Sequence, residues 1–308
     1  MDKDAAIYVT DHDGYLGAAV VSKLREVGYS NLVLAPRSEL DLKDSRAVVA
    51  FFRTVKPSYV FLTAQKSGGI SANISHPADF IYENLAIQQS VFSAAREGVR
   101  RIIFLGASCI YPKDAPQPIK EEYFLTGPLE EASKAYAIAK IAGVLTCDSY
   151  AKQYGLDCVS LVPATVYGPG GSFDAENAHV LGALIQRFHE AKVKGEREVI
   201  VWGSGEPRRE FIYVDDLAEA AMLLMERSLP QPLINVGVGH DISISDLALL
   251  IKGVVGFSGE ILFDGTKPDG VMQKLLDSGT IRNLGWKPRV SLEEGIVRTY
   301  NWYRTQHG

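Results

Sequence analysis

Residues Ala6-Ile-Tyr-Val-Thr10-Asp-His-Asp-Gly14-Tyr-Leu-Gly17 join a short apolar run directly to an amphipathic stretch. The run predicts a buried strand, and residues 16–27 place apolar side chains at the i, i+3, i+4 and i+7 positions of a helix. Glycines in such a turn let backbone N–H groups approach a pyrophosphate at the positive end of the helix. Gly14 and Gly17 fit the last two glycines of a G-x-x-G-x-x-G spacing. The segment therefore predicts a β-α unit, whose turn either binds a dinucleotide or simply joins a strand to a helix.

Three charged residues bear on the choice of dinucleotide. The first glycine position of the spacing holds Asp11, whose carboxylate would repel a pyrophosphate and whose side chain would force a different backbone path. Arg37 follows the second apolar run, where an arginine can meet the 2′-phosphate of NADP. Asp13 favours NAD, because it too is expected near the adenosine phosphate. NADP(H) is the cofactor that we favour, and NAD(H) is the alternative.

The first 163 residues repeat the alternation of short apolar runs and amphipathic stretches, which is typical of β-α-β units and a parallel sheet. The predicted strands are residues 6–10, 31–34, 59–63, 101–105 and 157–162. The predicted helices are residues 16–27, 44–55, 79–97 and 135–154. This pattern predicts a Rossmann-type, doubly wound parallel sheet in a dinucleotide-binding domain of residues 1–163.

Residues 164–308 have a different texture, in which turn-rich segments interrupt shorter elements. The predicted helices are residues 179–192, 214–227, 245–255 and 292–302, and the predicted strands are residues 199–201, 233–236 and 261–263. At roughly 150 residues per domain, a chain of this length suggests two units. We expect residues 164–308 to form mainly a smaller mixed α/β substrate-binding domain, with some chain returning to the first sheet and a ligand cleft between the halves.

The composition excludes several classes of protein. Of the 308 residues, 46% are hydrophobic and 22% charged, as in an ordinary globular protein rather than a disordered one. The net charge of −5 provides no basic field for nucleic acid. The first residues do not have the basic and then apolar pattern of a secretory leader, and no apolar run of about 18 residues occurs in the sequence. Cys109, Cys147 and Cys158 fit neither a disulfide framework nor a C-x-x-C metal site. We expect a cytoplasmic protein with reduced thiols that binds no metal, nucleic acid or membrane.

Tyr136 and Lys140 lie one turn apart at the start of a predicted helix, so they share a face. A nearby cation stabilises a phenolate and lowers a pKa that is otherwise about 10, so Tyr136 could exchange protons near neutrality. With 14 tyrosines in the chain, about one such spacing is expected by chance. The position of this pair, after the fourth predicted strand of a nucleotide-binding pattern, is what favours a catalytic role.

Six motifs in order along the chain resemble the extended short-chain dehydrogenases/reductases and, within them, the GDP-L-fucose synthase family. The motifs are Ala78-Asp-Phe-Ile-Tyr-Glu-Asn84, Phe104-Leu-Gly-Ala-Ser-Cys-Ile-Tyr-Pro112, Tyr136-Ala-Ile-Ala-Lys-Ile-Ala-Gly143, Val201-Trp-Gly-Ser-Gly205, Arg209-Glu-Phe211 and Lys267-Pro-Asp-Gly270. The resemblance implies 3,5-epimerisation and 4-reduction of GDP-4-keto-6-deoxy-D-mannose with NADPH. It also implies a homodimer built from residues 79–97 and 135–154 of each subunit.

The resemblance implies a role for each residue of the site. Tyr136 would protonate the C4 oxygen, Lys140 would orient the nicotinamide ribose, and Cys109 and His179 would exchange protons at C3 and C5, with Ser108 beside them. The cofactor would contact Asp11, Gly14, Tyr15, Leu16, Gly17, Arg37, Leu105, Lys140, Pro163, Val166 and His179. The GDP-sugar would contact Arg187, Trp202, Arg209, Asp269 and Lys274, which suit a diphosphate and a planar base.

The sequence departs from the family at several positions. Ala107 stands where the family usually has a serine whose hydroxyl polarises the keto oxygen, and loss of one such donor costs on the order of 3 kcal/mol of transition-state stabilisation. Thr165 and the segment Gly170-Gly-Ser172 also differ at the expected sugar pocket. Two alternatives therefore stand beside the bifunctional enzyme. One is a reductase or epimerase alone, acting on another GDP-4-keto sugar such as a GDP-heptose. The other is a catalytically silent GDP-sugar-binding protein.

Overall fold

The computed structural model describes residues 1–174, 178–229, 231–267 and 269–307, so Pro268 of the motif at residues 267–270 lies outside the described residues. The strands are β1 (Ile7–Val9), β2 (Leu32–Val33), β3 (Tyr59–Leu62), β4 (Arg101–Leu105), β5 (Asp157–Pro163), β6 (Thr165–Tyr167), β7 (Glu198–Trp202), β8 (Arg208–Arg209), β9 (Phe211–Tyr213), β10 (Leu233–Val236), β11 (Ile242–Ser243), β12 (Glu260–Asp264) and β13 (Gln273–Lys274). The helices are α1 (Tyr15–Glu26), α2 (Ser45–Val55), α3 (Ile70–Ser75), α4 (Pro77–Ala95), α5 (Lys134–Tyr154), α6 (Val180–Lys194), α7 (Val214–Glu226), α8 (Ile244–Val255), α9 (Gly279–Asn283) and α10 (Leu292–His307).

A six-stranded parallel sheet forms the larger layer, with strand order β10-β5-β4-β3-β1-β2. Its central strands are continuous apolar runs because helices cover both faces. Helices α2, α4 and α5 pack in sequence, while α1 packs on α7. The predicted Rossmann-type doubly wound fold is confirmed. Among the described residues, no helix is long and apolar enough to cross a membrane.

The second layer has short strand pairs in place of one continuous sheet. Strands β6 and β9 pair with each other, β7 pairs with β12, and β8 lies between β11 and β13. A separate apolar core gathers around α6, α8 and α10. Strand β10 leaves this half of the sequence and pairs in parallel with β5 at the end of the large sheet. The sequence predicted β7, β10 and β12, but two- and three-residue strands such as β8 and β9 have no periodicity to detect.

A buried carboxylate connects the two layers. Glu210, between β8 and β9, accepts hydrogen bonds from the N–H groups of Gly239 (2.7 Å) and Leu276 (2.9 Å). The side chain is 2% exposed, and burial raises the pKa of Glu210 to about 7 despite these bonds. Because Gly239 follows β10, the carboxylate ties the second layer to the large sheet and fixes where the neighbouring Arg209 lies.

Helix α5 lies very close to the sheet at Gly143. A Cβ atom on Gly143 would overlap the ring of Phe104 in β4 and would lie 3.0 Å from Oε1 of Gln88. Glycine therefore allows α5 to approach β4 more closely than any other residue would. This contact sets the height of the Tyr136 end of α5 above the carboxyl end of β4.

We expect Gly143→Ala to lower the free energy of unfolding by about 1–3 kcal/mol, because the added methyl overpacks the contact with Phe104. Gly253→Ala is the matched control, since Gly253 lies in α8 with no atom within 4 Å of the added Cβ. The control should be neutral or gain up to about 1 kcal/mol from helix propensity. Thermal unfolding of both variants measures the difference, and equal melting temperatures would refute this account of the contact.

Candidate active site

The carboxyl end of β4 carries the centre of the candidate site, as expected for an open parallel sheet. Lys140, in the second turn of α5, is 1% exposed and donates a hydrogen bond from Nζ to the carbonyl oxygen of Leu105 at 2.8 Å. The same Nζ lies 5.6 Å from the centre of the Tyr136 ring. Burial lowers the pKa of Lys140 to about 7, while the nearby Cys109 acts in the opposite direction.

Tyr136 has a partner that the sequence did not reveal. Its hydroxyl donates a hydrogen bond to Oε1 of Gln65, at 3.1 Å, and its ring packs edge-on against Phe80. Burial, and after it the charge of Cys109, raise the pKa of Tyr136 well above its usual value near 10. The expectation that Lys140 would lower this pKa is wrong for this structure, because the Lys140 ammonium is bonded to a backbone carbonyl and the phenol is desolvated.

Gln65 could have been found from its position. It follows β3 by three residues, and the carboxyl ends of neighbouring parallel strands meet at one edge of a sheet. Cys109 follows the next strand of the sheet, β4, in a similar place. A polar side chain after β3 was therefore a candidate on topology alone.

Cys109 lies in a single turn of 3-10 helix, Ser108–Ile110, and is buried. Burial raises the pKa of Cys109 to about 11, although the charges of Lys274 and Lys140 pull it down. His179 directly precedes α6, where its side chain makes no capping hydrogen bond. Although the residue as a whole is exposed to solvent, desolvation of the imidazole lowers its pKa, and the charge of Lys274 lowers it further. Thiol and imidazole are thus both neutral at pH 7.

Ser108 and Ala107 lie where the strand gives way to the 3-10 turn. Ala107 has extended backbone angles, and its carbonyl accepts the N–H of Ile110 at 3.2 Å. Ser108 is half-buried and begins the turn. The alternation of side chains along a strand therefore stops at Ala107 and does not dictate the direction of Ser108.

A second group of charged residues lies beyond Cys109. Lys274 in β13 forms an ion pair with Glu130, with Nζ 3.2 Å from Oε2. Burial raises the pKa of Glu130, but the charge and hydrogen bond of Lys274, together with the charge of Arg209, outweigh it and the pKa is lowered. Burial lowers the pKa of Arg209 itself, whose Nη1 donates to the Arg208 carbonyl at 2.8 Å. Sequence reasoning missed Glu130, which precedes Tyr136 by six residues and carries no motif.

The remaining predicted substrate residues surround Trp202 at the end of β7. The Trp202 side chain is 60% exposed, with the Arg187 guanidinium 6.0 Å and the Lys267 ammonium 5.4 Å from its ring centre. Arg187 also donates from Nη1 to the Ile200 carbonyl at 2.5 Å. Asp269 accepts hydrogen bonds from the backbone N–H (3.0 Å) and hydroxyl (2.7 Å) of Ser204. An exposed aromatic ring with two cations, Arg187 and Lys267, close to it suits a planar, negatively charged ligand.

The glycine turn lies at the other end of the site, between β1 and α1. A Cβ atom on Gly17 would overlap the backbone of Asp11, so Gly17 is required for α1 to pack on the turn. Gly14 is the N-cap residue of α1. Because it has no side chain, it cannot accept hydrogen bonds from the backbone N–H groups of the first turn through one. The Tyr15 hydroxyl is buried and has no hydrogen-bond partner in the described residues. These features fit a dinucleotide cradle.

Asp11, in the same turn, differs from the glycine expected in a dinucleotide-binding turn in its side chain and in the ion pair that it forms. Asp11 adopts a left-handed backbone conformation, φ +51°, and its Oδ1 accepts a hydrogen bond from Nε of Arg37 at 2.7 Å. This bond, and after it the charges of Asp11 and Asp13, raise the pKa of Arg37 despite some desolvation. Arg37 is therefore already paired with a carboxylate of the chain.

The other predicted cofactor residues lie at or after the carboxyl ends of the strands. Leu16 is buried in the first turn of α1, Leu105 ends β4, Pro163 ends β5, and Val166 lies in β6. The structure thus brings Tyr136, Lys140, Cys109 and Leu105 directly together, with Lys274 close enough to act electrostatically on Cys109 and His179. No group of three or more His, Cys, Asp or Glu side chains in the described ranges is arranged to hold a metal ion.

Comparison with known proteins agrees with this geometry. The chain is 52% identical over 303 residues to GDP-L-fucose synthase 1 of Arabidopsis thaliana, covering 98% of this chain and 94% of that protein. It is 46% identical over 307 residues to GDP-L-fucose synthase of Escherichia coli (strain K12), covering 96% of each. A solved GDP-mannoheptose C4 reductase from Campylobacter jejuni with NADP bound superposes with a TM-score of 0.89 at 38% identity, covering 99% of each chain. Residues 7–237 match the NAD dependent epimerase/dehydratase family, and the chain belongs to that family.

Proposed function

We propose that the protein is a GDP-4-keto-6-deoxy-D-mannose 3,5-epimerase/4-reductase that uses NADP(H) and makes GDP-L-fucose. The observation that carries the proposal is the sequence identity of 52% and 46% to the two GDP-L-fucose synthases above, over 98% and 96% of this chain. The cluster of Tyr136, Lys140 and Cys109 at the carboxyl edge of the sheet supports it, together with Lys274, which acts electrostatically on both Cys109 and His179. The substrate would place its sugar at this cluster and its GDP toward Arg209, Lys274 and Trp202.

The cofactor would be held along the carboxyl edge of the sheet. Gly14 and Gly17 allow the approach of its pyrophosphate to α1, and Arg37 lies where the adenosine end is expected. Lys140 would hydrogen-bond the nicotinamide ribose, since its ammonium has donors beyond the one that Leu105 uses. When bound, NADPH supplies the hydride for reduction at C4.

Tyr136 provides the proton for that reduction. Its raised pKa keeps the phenol protonated at pH 7, so it can donate to an oxygen that becomes negatively charged at C4. Before the substrate arrives, the hydroxyl donates its single proton to Oε1 of Gln65, and the O–H then turns from Gln65 to the C4 oxygen to donate it there. Gln65 is a positioning residue in this proposal, and its amide N–H groups are additional donors at the edge where Ala107 provides none.

Cys109 and His179 carry out the epimerisation. The C4 ketone acidifies the C–H bonds at C3 and C5, so a base can remove a proton and an acid can return one to the opposite face. The neutral imidazole of His179 can accept a proton, and the Cys109 thiol, with a pKa of about 11, holds one to give. Lys274 acts electrostatically on both residues and stabilises negative charge between them.

C4 reduction of a GDP-heptose is the second candidate. The observation that favours it is the structural match to the GDP-mannoheptose C4 reductase, at 38% identity over 99% of the chain. A reductase of this kind needs Tyr136 and Lys140 and makes no demand on Cys109. Deuterium exchange at the sugar therefore separates the two candidates.

We also propose that the protein is a cytoplasmic homodimer that pairs through α4 and α5. Apolar side chains on these helices are exposed to solvent, with Tyr82 and Leu85 on α4 and Ile138 and Leu145 on α5. Helices α4 and α5 already pack side by side within one subunit, so two subunits could form a four-helix layer. The molecular mass in solution tests whether the protein is a dimer.

Incubation with GDP-4-keto-6-deoxy-D-mannose in D₂O, with and without NADPH, tests the proposed reaction. We expect deuterium at C3 and C5 in both cases, by mass spectrometry, and oxidation of NADPH when it is present. NADPH oxidation with no deuterium uptake would favour the second candidate. The absence of both would contradict the proposal and point to a silent binding protein.

We expect Tyr136→Phe to reduce NADPH oxidation by at least about a hundredfold, because the proton donor is lost. Deuterium uptake should continue, since Cys109 and His179 remain. Cys109→Ser should instead impair the epimerisation and suppress deuterium uptake at C3 and C5. Full reduction by Tyr136→Phe would show that another group is the acid.

We expect Gln65→Leu to lower kcat for reduction about tenfold while KM and deuterium uptake stay near their wild-type values. The substitution keeps a similar volume but removes the acceptor for the Tyr136 hydroxyl. The pH profile of kcat should shift as well, because the phenol loses its hydrogen bond. Equal losses in reduction and in deuterium uptake would indicate a general structural effect of Gln65.

A further inference from the structure

Asp11 lies in a backbone conformation that glycine usually takes. Its φ of +51° is in the left-handed region, which asparagine and aspartate tolerate better than other side chains. Its carbonyl oxygen accepts the N–H of Gly14 at 2.9 Å and closes the turn. The chain has therefore kept the turn while adding a carboxylate to it.

The added carboxylate lies over the start of α1. A Cβ atom on Gly14 would overlap Oδ2 of Asp11, so this oxygen lies directly beside the residue that caps the helix. The N-terminus of a helix carries a partial positive charge that attracts anions. Asp11 thus puts one negative charge next to the position that a bound pyrophosphate requires.

The other carboxylate oxygen of Asp11 holds Arg37. The distance from Nε to Oδ1 is 2.7 Å, and the Asp11 side chain is 20% exposed against 68% for Arg37. Arg37 lies in the loop after β2, the place from which an arginine meets a 2′-phosphate in this fold. Asp13, exposed in the same turn, adds a second negative charge that acts on Arg37.

A 2′-phosphate arriving at Arg37 must therefore share the guanidinium with Asp11 or displace it. Both dinucleotides carry a pyrophosphate, but only NADP(H) carries the 2′-phosphate, so a carboxylate at this place opposes NADP(H) more than NAD(H). An exposed ion pair is weak, so displacement is feasible at a moderate loss of affinity.

We propose that Asp11 is an internal anion that competes with the phosphates of the dinucleotide for Arg37 and for the N-terminus of α1. Asp11 thereby lowers the affinity of the protein for NADP(H) and reduces the ratio of its NADP(H) affinity to its NAD(H) affinity. It is a residue that determines cofactor affinity and selectivity and takes no part in proton transfer.

Asp11→Asn tests the proposal, because asparagine keeps the left-handed conformation and the side-chain shape while removing the charge. Asp2→Asn is the matched control, because Asp2 also pairs with an exposed arginine, Arg100, at 3.1 Å, but lies before β1, at the opposite end of that strand from the turn. Calorimetric titration with NADP⁺ and with NAD⁺, at one fixed ionic strength, gives the four dissociation constants needed and does not depend on sugar turnover. We expect Asp11→Asn to tighten NADP⁺ binding about tenfold and NAD⁺ binding about threefold. The control should change each by no more than about twofold.

A second variant tests the part played by Arg37. In an Arg37→Met background, Asp11→Asn should no longer change the ratio of NADP⁺ to NAD⁺ affinity, because the shared cation is gone. Failure of Asp11→Asn to gain NADP⁺ affinity overturns the proposal, whatever the affinity of the wild type. Weaker NAD⁺ binding by Asp11→Asn also overturns it, since Asp11 would then be a ligand of the ribose. Equal gains from Asp11→Asn and Asp2→Asn would reduce the effect to net charge and likewise reject it.

Discussion

The site is organised by the burial of one ammonium group. Lys140 is 1% exposed, and its hydrogen bond goes to the backbone carbonyl of Leu105 rather than to a carboxylate. A buried cation with such a partner is costly, so it persists only where the surrounding packing fixes it, and here Gly143 lets α5 lie directly on β4. The same contact fixes Tyr136 one turn earlier and Cys109 just beyond the strand. The pKa of about 7 for Lys140 is the consequence of that burial.

The two ends of the site carry opposite electrostatic balances. At the proposed GDP end, Arg209 and Lys274 act on Glu130, and Arg209 is also influenced by Asp269. Arg187 and Lys267 lie near Trp202, so these four cations outnumber the two carboxylates and positive charge is left for a diphosphate. At the dinucleotide end, Asp11 and Asp13 both act on a single cation, Arg37, so negative charge is in excess. A nucleotide diphosphate is thus favoured by the side chains at one end and opposed at the other. In the proposed complex, binding of the dinucleotide would therefore depend more heavily on backbone N–H groups and on Lys140 than on Arg37.

The sequence could predict what is local or repeated. The alternation of apolar runs and amphipathic stretches predicted the parallel sheet, and all four predicted helices of the first 163 residues are present within two residues of their predicted ends. The spacing of Tyr136 and Lys140 predicted their shared face. The bond from Tyr136 to Gln65 joins residues 71 positions apart, and the pair of Lys274 with Glu130 joins residues 144 apart, so neither has a local signal. The direction of the Tyr136 pKa also depended on burial, which only the folded chain defines.

The departures from the family pattern fall unequally on the two proposed half-reactions. The proposed epimerisation needs Cys109, His179 and a polarised ketone, and Lys274 acts electrostatically on both of these residues. Reduction requires in addition a bound dinucleotide and a proton donor at C4. In our proposal, Asp11 weakens binding of the dinucleotide, whereas Gln65 forms a hydrogen bond with Tyr136, the proton donor. Because the glycine turn takes no part in the proposed proton transfer at C3 and C5, changes in this turn are expected to slow reduction while leaving epimerisation intact.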